Sequence, residues 1–68
     1  MHSQEFIQTM RAALDEVMTK IPTELATPAI KAHMAELILK AAAAGETNYE
    51  RLVAGAANQI QAVLSVVA

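Results

Sequence analysis

His33 is the one titratable residue of obvious catalytic type inside a helical stretch of this chain, three residues before Glu36 and four before Leu37 in "KAHMAELILK". An imidazole ring changes charge near neutral pH, so a histidine one helical turn from a carboxylate could begin general acid–base chemistry. That chemistry also needs a nucleophile or a held substrate group, and a pocket. The chain has no Cys, and neither Ser nor Asp falls one turn from His33. The pattern therefore places His33 at the flank of an apolar stripe. No catalytic residue is expected, and the chain is not expected to be an enzyme or to hold a small-molecule substrate.

The stretch "GETNYER", residues 45–51, gathers Glu46, Thr47 and Glu50, which are oxygen donors. A calcium ion takes about six to eight such ligands, more than this loop offers. His2 and His33 are too far apart in sequence to suggest a zinc site. Neither a metal nor a cofactor is expected. "TNYE" reads instead as a capping box, in which Thr47 accepts from the Glu50 N–H and Glu50 reaches back to the Thr47 N–H. The same stretch could be the turn of a DNA-binding helix pair, presenting Asn48, Glu50 and Arg51 to bases. One arginine beside a glutamate, on a chain of net charge −2, is poor chemistry for that. The basic residues Arg11, Lys20, Lys31, Lys40 and Arg51 are scattered, so no stripe forms to bind phosphates. A small regulatory DNA-binding protein is the alternative function, and nucleic acid is not the expected partner.

The elements that carry these residues are read from their ends. Sixty-eight residues make a single domain with a thin core. A first helix, about 3–20, starts at Ser3 as N-cap and stops before Pro22, because the residue before a proline is disfavoured in the helical region. Its apolar stripe runs Ile7, Met10, Leu14, Val17, Ile21, with Phe6 and Met18 widening it. Thr27-Pro28 opens a second helix, about 28–44, with a capping side chain followed by a residue whose missing N–H had no partner anyway. This helix carries Ile30, Met34, Leu37 and Ala41, with Ile38 beside them, and Gly45 ends it. The third helix, about 48–66, continues the spacing through Tyr49, Val53, Ala56, Ile60, Val63 and Val67. The fold expected is all-α: a three-helix up-down-up bundle with short connections.

Four consecutive alanines, Ala41–Ala44, precede Gly45. If helices two and three fold back on each other there, Ala41 faces Leu52 and Val53, while Leu37 and Ile38 face Ala56 and Ala57. Small residues set against large ones interdigitate, so the alanines act as packing spacers.

Two apolar residues fall off the stripes. Leu39 is about one hundred degrees of rotation from Ile38, and Val66 lies at the edge of its helix. The last seventeen residues, Leu52 to Ala68, carry no charged side chain, and Asn58, Gln59, Gln61 and Ser65 make their most polar face. Charge depletion with hydrogen-bonding residues resembles an interface. Leu39, Asn58, Gln59, Gln61 and Val66 are the expected contact residues, for a homodimer or a protein partner. The same uncharged run is short and interrupted for a membrane span, so no membrane is expected. No basic-then-apolar leader is visible, and the lack of Cys fits a reducing compartment; a cytoplasmic location is expected. The function expected is a non-enzymatic protein-interaction or structural module that self-associates through its C-terminal helix.

"ILKAAAAGETNYERL", Ile38 to Leu52, resembles a helix-end, Gly-Glu, helix-start run in small uncharacterised helical proteins of alphaproteobacteria, with Gly45-Glu46 and Arg51-Leu52 as the matching pairs. The resemblance covers under half the chain. It implies a bacterial cytosolic protein and no site.

Overall fold

The computed structural model describes residues 3–67, and of Ser3 and Val67 the backbone alone. Four α-helices occur there: α1 (Ser3–Thr19), α2 (Pro28–Ala43), α3 (Tyr49–Ala57) and α4 (Ile60–Val67), with a short 3-10 turn at Thr23–Leu25 between the first two. The described residues are all-α, without strands. The expected third helix is two helices, so the count is four and not three. The cap expected at Ser3 and the stripe position Val67 concern side chains outside the described ones.

The first three helix ends follow local chemistry. After α1 the chain tightens, the Ile21 N–H donating to the Met18 carbonyl at 3.3 Å, and Pro22 prevents continuation. At α2 the Thr27 hydroxyl oxygen accepts from the Ile30 N–H at 3.2 Å, with Pro28 in the first helical position. At its far end Gly45 takes φ +104°. The Gly45 N–H donates to the Ala42 carbonyl and the Glu46 N–H to the Ala41 carbonyl, both at 3.0 Å. These two bonds are the Schellman closure, which satisfies carbonyls the helix leaves free.

The start of α3 corrects the expected capping box. Asn48, not Thr47, is the N-cap: its side chain accepts from the Arg51 N–H at 3.0 Å. The Asn48 N–H is met by Glu46 Oε1 at 3.3 Å, from the preceding side of the turn, so the reciprocal role assigned to Glu50 falls to Glu46. Thr47 and Glu50 are exposed. Asparagine is at least as good a cap as threonine, and α3 begins with Tyr49 directly after it.

Between α3 and α4 the helical sense is kept but one step is tighter. The Asn58 N–H reaches Ala54, a four-residue step, while the Gln59 N–H reaches Ala56, a three-residue step, each at 3.0 Å. Asn58 keeps right-handed helical angles, φ −64° and ψ −18°. Neither Gly nor Pro stands at the break; asparagine is a poor helix-interior residue because its side chain competes for nearby backbone groups.

One core joins the helices. Ala13, Val17 and Ile21 of the first leg, Ile30, Met34 and Ile38 of α2, and Leu52 and Ala56 of α3 are buried together. Ile60, Val63 and Leu64 of α4 pack against this cluster. α1 packs on α2 and on α3, while α2 packs on α3 and α4. Among the described residues every fully buried one is apolar, and no buried side-chain nitrogen or oxygen lacks a partner.

The buried rows differ from the expected stripes in one consistent way. Ala13–Val17–Ile21, Ile30–Met34–Ile38 and Leu52–Ala56 are spaced by four, whereas the stripes alternated three and four. A row spaced by four winds around its helix and forms the ridge that packs when helices cross at an angle. Ile7 is consequently turned out, at 48% exposure, and Ala13 takes a place in the core at 0%.

Candidate interaction surface

His33 sits exposed on α2. The carboxylate one turn away, Glu36, lies 3.4 Å from the Lys40 ammonium instead. Glu46 is occupied by the Asn48 N–H through Oε1 and by Arg51 Nη1 at 3.8 Å through Oε2. Among the described residues no three His, Asp or Glu side chains gather as a metal set, and no helix is long and apolar enough to cross a membrane.

An open apolar groove lies between the first two helices. Ile7, Met10 and Leu14 of α1 and Ala35, Ile38 and Leu39 of α2 line a groove with about 180 Å³ of space, and Arg11 borders it. Sites for whole small molecules run to about 300–1,000 Å³, and the groove is smaller than that. Its rim is formed by Ile7 and Leu39, 48% and 55% exposed. The groove exists because the rows spaced by four turn Ala13 inward and leave Ile7, Met10 and Leu14 along the edge of α1. Leu39 is held at the matching edge of α2 by Ile38, its neighbour, which is buried.

A second depression adjoins it, lined by Arg11, Leu14, Asp15 and Lys31. Lys20, Lys40 and Arg51 each have a carboxylate within 4.0 Å, namely Glu16, Glu36 and Glu46. Among the described residues Arg11, Lys31 and Asp15 have no such partner.

The five expected contact residues divide between two places. Leu39 lies in the groove with Ile7. Asn58 and Gln59 form the step between α3 and α4, and Gln61 and Val66 lie on α4; all four are exposed, Val66 at 79%. None of the four lines the groove. Ile7, Met10 and Leu14 were assigned to the core by their spacing, so their share in a surface groove was missed. The signal that could have shown it is Ala13, whose burial between two helices turns Ile7 outward. No family model matches the chain, and neither a curated protein nor a solved structure matches it.

Proposed function

We propose that this chain is a non-enzymatic protein-interaction module that self-associates, built as an up-down-up bundle in which α3 and α4 together form the third leg and α4 offers the contact face. The observation that carries this reading is the uncharged run Leu52–Ala68, which includes the exposed Val66. A solvated helix ordinarily carries charge on its outer face. Here that face offers Asn58, Gln59 and Gln61, side chains able to hydrogen-bond across an interface without the cost of desolvating a charge. A cytoplasmic setting accords with a chain that has no Cys to oxidise.

The DNA-binding alternative gains nothing from the geometry: the Asn48 oxygen caps α3 and Arg51 stands beside Glu46. Sedimentation of the full chain from micromolar to millimolar concentration tests self-association, with Val66→Lys as the variant. Because Val66 is exposed, the lysine leaves the fold intact and acts only where the valine meets another surface. The parent should associate and the variant should dissociate; association indifferent to Val66→Lys removes α4 as the contact face.

A further inference from the structure

We infer that α4 is a latch: it undocks from α2 and unwinds as a unit while α1, α2 and α3 stay folded around their shared core. The opening concerns how α4 is held and does not rest on the self-association proposed above. Where α4 carries that contact, the opening gates it, because the unwound segment no longer presents Gln61 and Val66 on a helix.

Four observations carry it. The first is topology. Each pair among α1, α2 and α3 packs together, whereas α4 packs substantially against α2 alone. Removing α4 leaves each of the other three helices with both of its partners. The second is burial. Among the described residues the fully buried side chains lie on the first leg, α2 and α3; α4 adds none, and its inner residues Ile60, Val63 and Leu64 are only partly buried. Apolar burial is the main force holding a helix to a core, so an element with little of it opens first. The third is the joint. The Gln59 N–H reaches back three residues, to Ala56, instead of four. That step interrupts the bonding through which α3 would propagate cooperatively into α4. Asn58 and Gln59 are exposed, and among the described residues neither side chain makes a hydrogen bond. Nor does α4 carry a charged side chain that could tie it down by an ion pair. The fourth is length. α4 has eight residues, and an isolated helix of fewer than about 12–15 is marginal in water. Off α2 it therefore unwinds, which makes undocking and melting one event.

The test is native-state hydrogen exchange of the full chain, read by NMR in urea below the unfolding transition. The protein is kept at the lowest workable concentration, so that association through α4 does not add to its protection. The amides of Val63, Leu64, Ser65 and Val66 should share one opening, roughly tenfold or more frequent than the opening that exposes Val17, Met34 and Ile38. The α4 opening should depend weakly on urea, since it bares little surface, and the core opening steeply. Ala13→Gly should lower core protection roughly fivefold. It should leave α4 protection unchanged, because α1 is folded in the latched and the open forms alike. One opening frequency and one urea slope for all helices overturns the latch. So does an Ala13→Gly variant in which α4 loses protection along with the core. Protection that falls residue by residue from Val63 to Val66 also overturns it, since that is fraying of an end and not release of a unit.

Discussion

The Asn48 side-chain oxygen accepts from the Arg51 backbone N–H at 3.0 Å, and on the other side of the same turn the Glu46 carboxylate accepts from the Asn48 N–H at 3.3 Å. Two donors that α3 would leave free are thereby satisfied, and Arg51 is drawn to 3.8 Å from Glu46. Asn48→Ala should therefore cost about 0.5–2 kcal/mol. Thr47→Ala, one residue earlier and exposed, should change stability by less than about 0.5 kcal/mol. Urea unfolding of the two variants side by side checks the assignment. A larger loss from Thr47→Ala would return the cap to threonine.

The two glycines should respond in opposite directions. A Cβ added at Gly55 meets nothing within 4 Å, and its backbone is helical within α3. Gly55→Ala should stabilise by about 0.5–1 kcal/mol, since alanine loses less freedom on entering a helix. A Cβ at Gly45 also finds open space, but φ is +104° there. Gly45→Ala should destabilise by about 1–2 kcal/mol through backbone strain alone. Equal effects at the two sites in thermal melts would contradict the Schellman closure.

Ala13 is fully buried while its neighbour Ala12 is exposed. Ala13→Leu should overpack the core and cost about 1–3 kcal/mol, whereas Ala12→Leu should stay within about 0.5 kcal/mol of the parent. The contrast measures how α1 is rotated. If Ala12→Leu were the damaging change, α1 would have to turn by about one residue, or one hundred degrees.

The step at Asn58 and Gln59 is exposed. Replacing both by alanine should favour one continuous helix, with a gain of up to about 1 kcal/mol and more helical signal in far-ultraviolet circular dichroism. A loss of stability instead would mean that α4 needs the step in order to pack on α2.

Helix ends were legible in the amino-acid sequence wherever the chemistry is local. Pro22 lacks a donor, Thr27-Pro28 supplies a cap and a preset φ, and Gly45 alone tolerates the left-handed turn, so each acts within a few residues of itself. The all-α class followed from the same signals with the apolar spacing. Three features needed the tertiary structure. Thr47 and Asn48 are both good caps, and the choice between them depends on where α3 begins once Leu52 and Ala56 are seated in the core. The step after Ala57 carries no Gly or Pro, so nothing local announces it. Most of all, apolar spacing fixes the buried face of a helix only to within about one residue of rotation, and stripes alternating three and four compete with rows spaced by four. The neighbouring helices decided between them, burying Ala13 with Val17 and Ile21 and turning Ile7 out beside Leu39. The groove arises from that rotation, which no single helix determines: each row is chosen by the helices it packs against.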